Sequence, residues 1–564
     1  MSDSILKPYG DFLKLIYTAA LDNPWLFGLQ VFALICLTTR RWSAFQKSYR
    51  ADDTSLGTRA IPRVPYWVPV IANTILFSLR SQSWLLDKAR RYRSSVFGLR
   101  IYGRDHIIVT SPELCQALAR SDAVSDEEYK VTRSRRFFAN RSASPSTVKL
   151  VKRALKDYQA DAGRLSKLTK LLETSTYNLI SPSISWVDQA QWERTSDVMV
   201  VSDSPVLTVS ANINVLIRDF ASHMLCSVLL GGSFVEANAS FVSDLFHFSS
   251  KYSTFMTGMP YWLGPGLGPP ALARERCLLA LDGLVNAILA DAEGKSGAGL
   301  GAGLLYDIDD VHVSLLDMVK AASKEDKNAS PRSISCQILE VVFEVNFYTV
   351  TLLVWLIIYL FKEGQDYTAT LVTVRDEIKQ LVQIEQPPPS GLLFQEPPKL
   401  KFSTVGAAAK DLRRACPLFS ASVSELRRLE TELESYMVVK RDVVLEPGDK
   451  KVQRRDPDEK VQLCGGDYIY LAEGATNMDQ QRWDRPRRFV PGRVPSVSHR
   501  SDNAEDDVSD YLVEETVLIG VALLSSYCFT AGDGSSFSRP SASVTAGVRT
   551  ITKDLRGQVS QLVP

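Results

Sequence analysis

Residues 335–361 read SCQILEVVFEVNFYTVTLLVWLIIYLF. Whether this run crosses a membrane or a protein core decides the fold. Glu340, Glu344 and Asn346 interrupt its first half. The uncharged run from Phe347 is shorter than the roughly 20 residues that a bilayer requires. A helix that is apolar all round and does not sit in lipid is the central helix of a large protein. The run is therefore read as a buried central helix.

The bulk numbers agree with a large globular body. The chain has 564 residues, 45% hydrophobic and 23% charged, a composition far from disordered or fibrous proteins. Its 65 basic and 64 acidic residues leave a net charge of +1, so no global field draws it to nucleic acid. The eight cysteines are scattered, form no Cys-x-x-Cys pair and show no zinc spacing with the five histidines. They read as buried free thiols in a reducing compartment.

Upstream, Trp25–Thr39 (WLFGLQVFALICLTT) carries no charge, and Arg40, Arg41, Lys47 and Arg50 follow it. A cleaved signal peptide would place its charge before the apolar run and small residues at its end. Here the order is reversed, which favours an uncleaved signal-anchor with the body in the cytosol by the positive-inside rule. Residues 1–50 are thus read as a membrane anchor with its flanks, and 51–564 as one large domain. Residues 62–69, Pro-Arg-Val-Pro-Tyr-Trp-Val-Pro, form a stiff extended joint between them.

The body reads as mainly helical with few strands. Val96–Thr110 (VFGLRIYGRDHIIVT) is read as a hairpin turning near Gly103, and 147–175 as an amphipathic helix. Residues 258–270, rich in glycine and proline, are read as a loop, 294–303 as a flexible linker, and the prolines at 387–389 and 397–398 as an exposed break. Leu512–Leu524 reads as a final apolar helix.

Glu425 and Arg428 lie three residues apart in Ser-Glu-Leu-Arg-Arg-Leu, on one face of a helix. Alone, such a pair is a solvated surface contact. It is preceded by Cys416-Pro417-Leu418-Phe419. Downstream come Leu463-Cys464-Gly465-Gly466-Asp467-Tyr468 and then Trp483-Asp484-Arg485-Pro486-Arg487-Arg488-Phe489. This order resembles the C-terminal half of the cytochrome P-450 superfamily. There, a Glu-x-x-Arg helix pairs with the arginine of a Pro-x-Arg-Phe segment. Asn346, Thr349 and Trp355 resemble the central-helix pattern of fungal microsomal members. The anchor, the proline joint and the hairpin match the same layout. The resemblance implies a cytochrome P-450-like fold, mainly α with small β-sheets, on an endoplasmic reticulum anchor. It also implies a buried network of Glu425, Arg428 and Arg488 that locks the fold.

The same resemblance fails at one place. The family's Phe-x-x-Gly-x-x-x-Cys-x-Gly, which supplies the thiolate ligand of heme iron, is absent. The chain instead runs Val497-Ser-His-Arg-Ser-Asp-Asn-Ala-Glu-Asp-Asp-Val-Ser-Asp510. Counting back from the final helix puts the ligand position near Asp507, and the motif's phenylalanine and glycine at Arg500 and Asn503. Cys464 precedes the Pro-x-Arg-Phe segment, Cys528 follows the final helix, and His499 has the wrong spacing. The family also places an acid or amide before the central-helix threonine, and here that residue is Tyr348.

Three functions are expected on these grounds. The first is a non-oxidative enzyme of fungal-type secondary metabolism. It would be a heme-less cyclase, such as an intramolecular Diels-Alderase or other pericyclase, acting on an apolar polycyclic, terpenoid-like substrate. Tyr348, Thr349 and Asn346 are its candidate catalytic residues, with no metal and no cofactor. The second is a heme-thiolate monooxygenase with an unusual or mis-spliced ligand loop, in which case heme is the cofactor. The third is a non-catalytic membrane scaffold for other biosynthetic oxygenases. The partners expected are an apolar small molecule and a membrane, with no nucleic acid.

Overall fold

The structure, a computed structural model, describes residues 23–562 apart from 47–59, 70–71, 184, 202–205, 259–265, 293–305, 326–329, 387–397, 404–411, 413, 432–433, 446–459, 479, 481–482, 494–504 and 533. The linker at 294–303, the prolines at 387–389, Val497, His499, Arg500 and Asn503 lie outside the described residues. The chain forms two compact units, one from its start to Ser125 with Ser435–Ala472, the other from Asp126–Glu434 with Glu473 to its end.

The first unit is built on the expected hairpin. Strands Val96–Ile101 and Arg104–Val109 pair antiparallel from Val96↔Val109 to Ile101↔Arg104. Tyr102 and Gly103 turn between them with φ of 51° and 75°, the left-handed pair that a tight hairpin needs. Tyr468–Leu471 adds in parallel beside His106–Val109. The prolines at 62–69 keep their segment extended. Its backbone bonds the first strand, Gly98 N–H to Pro62 O at 2.7 Å and Val64 N–H to Gly98 O at 2.9 Å. Inward side chains of these strands, among them Val96, Ile107, Val109, Ile469 and Leu471, pack on Leu114 and Leu118. The apolar N-terminal run is a helix, Pro24–Phe45, whose Trp25, Leu29, Phe32 and Leu34 face outward.

The second unit is organised around the helix Pro331–Leu360. Pro331 suits its first position, and the Ser330 side chain accepts the Ser333 N–H as its cap. Two described helices are long and apolar enough to cross a bilayer, Ile213–Leu230 and Pro331–Leu360. In each, 83% of the apolar window is inside the protein, so both are core helices. The acids that interrupt the sequence of the central helix explain themselves here. Glu340 and Glu344 both pair with Arg133, at 2.7 and 2.6 Å. Burial raises the Glu340 pKa, and the guanidinium opposes that shift. An aromatic cluster of Phe137, Phe138, Phe248, Tyr252 and Phe343 packs beside this network.

Three boundaries differ from expectation. The amphipathic stretch is two helices, Pro145–Ala160 and Gly163–Ser175, because Asp161 is extended between them. The 258–270 segment ends inside a helix, Gly268–Ala292, whose Pro269 and Pro270 fall in the first turn, where no N–H is needed. The final helix begins earlier, at Glu505, so position 507 lies inside it. Beyond it, strands Tyr527–Ala531, Arg556–Gln561, Thr208–Asn212 and Met199–Val200 form a four-stranded sheet. A hairpin of Ala542–Thr545 and Val548–Ile551 comes after the last helix in sequence and lies against the central one.

Candidate functional site

Asn346, Tyr348 and Thr349 sit on the central helix, where successive residues turn by about 100°. That rotation puts Asn346 and Thr349 on neighbouring faces and Tyr348 on the far one, and the three side chains meet different partners. Asn346 is fully buried. Its Oδ1 accepts the Ser222 hydroxyl at 2.8 Å, and its Nδ2 donates to Val342 O at 3.0 Å. Its amide thereby ties the central helix to Ile213–Leu230. The Tyr348 hydroxyl donates to Ala546 O at 2.8 Å, in the turn of the C-terminal hairpin. Thr349 donates to Val345 O at 3.0 Å, back along its own helix, and its Oγ1 lies 3.5 Å from Glu515 Oε2 on the final helix.

Glu515 heads a buried polar group that the sequence reading missed. The Tyr158 hydroxyl donates to Glu515 Oε1 at 2.8 Å, and Arg164 donates to Glu514 Oε2 at 2.7 Å. Burial pushes the Glu515 carboxyl up to about 7, against the pull of the Arg164 guanidinium and the Tyr158 hydroxyl. Arg164 Nε and Nη1 are buried without a hydrogen-bond partner. A signal was present. Glu515 shares a helical face with Leu512 and Ile519, three residues before and four after it. A carboxylate on such an apolar face points inward.

Between the central helix and the hairpin lies a cavity of about 110 Å³ lined by Arg218, Phe246, Phe347, Thr351, Trp355 and Ile551, with Tyr348 outside its lining. The hairpin is seated beside it by two bonds from the central helix, Tyr348 to Ala546 O and Trp355 Nε1 to Arg549 O at 2.6 Å. The Arg218 guanidinium lies 4.8 Å from the Phe246 ring centre and pairs with buried Asp219. The full lining adds Asn214, Ser250, Val354, Thr545 and Thr550, so six of its eleven residues are polar and the rest apolar or aromatic. Its volume is below the roughly 300–1,000 Å³ of drug-sized ligand pockets.

A thiolate-held heme requires an ionised cysteine at the start of the final helix and a planar slot beside the central helix. All eight cysteines lie in described residues, and none is there. Cys528 is on the strand after that helix, and Cys464 is in the turn before Tyr468. Burial raises the thiols of Cys226, Cys336 and Cys416 to about 12, which keeps them protonated. The side chains present therefore do not fit a heme-thiolate centre. Among the described residues, no cluster of three or more His, Cys, Asp or Glu is arranged to hold a metal.

The locking network is present with one member changed. Arg428 grips Glu425 through two bonds of 2.7 and 2.9 Å and donates to Pro486 O at 2.8 Å. Its guanidinium lies over Trp483. The third arginine is Arg493, with Nε 3.3 Å from Glu425 Oε1, in place of Arg488. Arg485 adopts a left-handed φ of 48°, and Arg488 N–H closes a turn on its carbonyl. Beyond this turn the Arg488 side chain is 42% exposed and pairs with Asp366. Gly492, at φ 76°, turns the chain again just before Arg493.

No family model matches the sequence, and no curated protein matches it. Solved structures do match the fold. One is the cyanobacterial cytochrome P450 CYP120A1 with retinoic acid bound, at a TM-score of 0.57 and 13% identity, over 89% of this chain and 99% of that one. At that identity the likeness establishes the fold alone. The chain is mostly helical with small sheets and has a cytochrome P450-like fold.

Proposed function

We propose that this P450-like chain has left heme-thiolate oxygenation and works as a non-oxidative cyclase on an apolar, terpenoid-like small molecule. An intramolecular Diels–Alder or related pericyclic reaction fits best. Such a reaction turns π bonds into σ bonds within one molecule, with no electron donor and no oxidant. It needs a reactive conformer held in place, which an apolar enclosure supplies. It gains further from one donor aimed at a substrate carbonyl. Tyr348 is the proposed donor. Its hydroxyl already holds a carbonyl, that of Ala546, and a substrate carbonyl would replace it as the hairpin shifts and the cavity widens. Thr349 and Asn346 hold the central helix in register behind it.

The observation that carries the reading is the lack of a cysteine at the start of the final helix, where a thiolate-held heme needs its ligand. The test is heme and iron analysis of the purified full chain, with a reduced carbon monoxide spectrum. It is followed by anaerobic incubation with linear polyene substrates in the absence of NADPH. Cyclised product without heme supports the proposal. A thiolate-type absorption band with stoichiometric iron would overturn it. The outward apolar face of Pro24–Phe45 supports a proposed anchor on the endoplasmic reticulum membrane, with the body in the cytosol.

One observation favours a second reading. A cavity of about 110 Å³ is too small for a polycyclic molecule without movement of the hairpin. A non-catalytic scaffold beside membrane oxygenases needs no such movement. Co-purification of oxygenases with an inert isolated chain would select it.

A further inference from the structure

A second concavity lies at the other end of the central helix. Cys336, at its wall, is eleven residues before Phe347, about 16 Å along the helix axis, so the two spaces are distinct. This cleft has a volume of about 740 Å³, within the range of small-molecule sites. Helices of 25 and 30 residues, Gly268–Ala292 and Pro331–Leu360, both begin at it. Pro269, Pro270 and Pro331 bring no N–H to these starts and the Ser333 N–H is capped, so what they turn to the cleft is the positive end of the helix dipole.

The side chains in the cleft have donors and positive charge without matching acceptors. Arg332 is neutralised by Glu275 and by Asp282 at 2.8 Å. Arg274 is different. It donates to the carbonyls of Arg136 and Phe137, meets no carboxylate among the described residues, and has a buried Nε with no partner. Arg141 is exposed and also has no carboxylate partner among the described residues. Asn140 is 1% exposed. Its Oδ1 accepts the hydroxyls of Ser142 and Ser333, both at 3.1 Å, while its Nδ2 has no partner. A buried donor left unpaired is costly to the fold and is satisfied by a ligand acceptor. Burial lowers the Arg274 pKa, and the charge of nearby Glu275 opposes that shift without forming an ion pair.

We propose that this cleft binds the phosphoryl group of a small phosphorylated ligand, gripped by Asn140, Arg141 and Arg274. The two arginines without carboxylate partners match a phosphate monoester, which carries about −1.5 to −2 at neutral pH, better than a carboxylate. Three tetrahedrally disposed oxygens serve donors that arrive from the 140–141 loop and from the helix Gly268–Ala292, and guanidinium forks suit phosphate geometry.

Calorimetry on the full-length chain, with inorganic phosphate as probe and acetate as singly charged control at matched ionic strength, tests this. Phosphate should bind saturably at one site and at least tenfold more tightly than acetate. Asn140→Asp keeps the acceptor that holds Ser142 and Ser333 but replaces the unpaired donor with an anion. It should weaken phosphate at least tenfold. Arg141→Glu, at an exposed position that leaves folding intact, should do the same and carries the test if Asn140→Asp fails to fold. Arg153→Glu, 76% exposed on Pro145–Ala160, should change nothing. Absence of saturation, equal affinity for acetate, or equal effects of Arg141→Glu and Arg153→Glu would overturn the assignment.

Discussion

Thr349 on the central helix and Glu515 on the final helix lie 3.5 Å apart, oxygen to oxygen, across 166 residues of sequence. Thr516 reaches the same turn, its hydroxyl 3.5 Å from Thr349 O. Polar groups of Thr349, Glu515 and Thr516 therefore join the central and final helices at this level.

Glu515 makes stability depend on pH. Its folded pKa, about 7, lies above the unfolded value of 4.5, so between these values the folded chain binds more protons than the unfolded one. By linkage its contribution is full below about pH 4.5 and is lost as pH rises through 7. The size is about 3 kcal/mol at 1.36 kcal/mol per unit. Denaturant titrations from pH 5 to pH 8 should show Glu515→Gln with a flatter profile than the parent and higher stability at pH 8. Parallel profiles would count against a buried carboxyl.

The arginine lock separates motif from geometry. Arg428→Ala leaves the buried Glu425 carboxylate without its bidentate partner and should cost about 3–5 kcal/mol. Arg488→Ala removes an exposed pair and should cost under about 1 kcal/mol. Arg493→Ala should fall between them. Urea midpoints of the three variants give the order, and a large loss at Arg488 would restore the motif-based assignment.

At Gly520 the final helix packs directly on Phe419 of Pro417–Glu430. A Cβ there would sit 2.6 Å from Phe419 Cζ and 3.4 Å from Leu356 Cδ2, and Phe419 is wholly buried. In an open helix, Gly→Ala would stabilise by about 1 kcal/mol. Here overpacking of about 1–3 kcal/mol opposes that gain. A lower thermal midpoint for Gly520→Ala is expected, and a higher one would mean that the helices can part.

Tyr348→Phe removes the bond to Ala546 O. Loss of one such bond costs about 1 kcal/mol. Amide exchange at 542–551 should accelerate, since of the two side-chain bonds from Tyr348 and Trp355 to the hairpin backbone one would be gone. If the hydroxyl activates a substrate carbonyl, turnover should also fall by about 10²-fold. Faster exchange with unchanged turnover would leave Tyr348 a structural residue.

Local physics made much of the fold legible. The alternation and central glycine of 96–110 specify a hairpin, because strand period and left-handed turn residues act within a few positions. The apolar run of 335–361 specifies a core helix, since burial on all faces leaves a mark at every position. The order of Glu425, Arg428 and Trp483–Phe489 specified the P450-like fold, and the missing cysteine is a fact of sequence alone. The site was less legible. That Asn346, Tyr348 and Thr349 point to Ser222, Ala546 and Glu515 depends on which elements come to lie beside the central helix. The choice of Arg493 over Arg488 depends on a turn at Arg485 and another at Gly492. Such contacts join residues far apart in the chain, and their geometry is set by packing that no local period encodes. Tertiary structure alone decided that the central and final helices touch at Thr349 and Glu515, and that the helix starts at Gly268 and Pro331 share one cleft with Arg274.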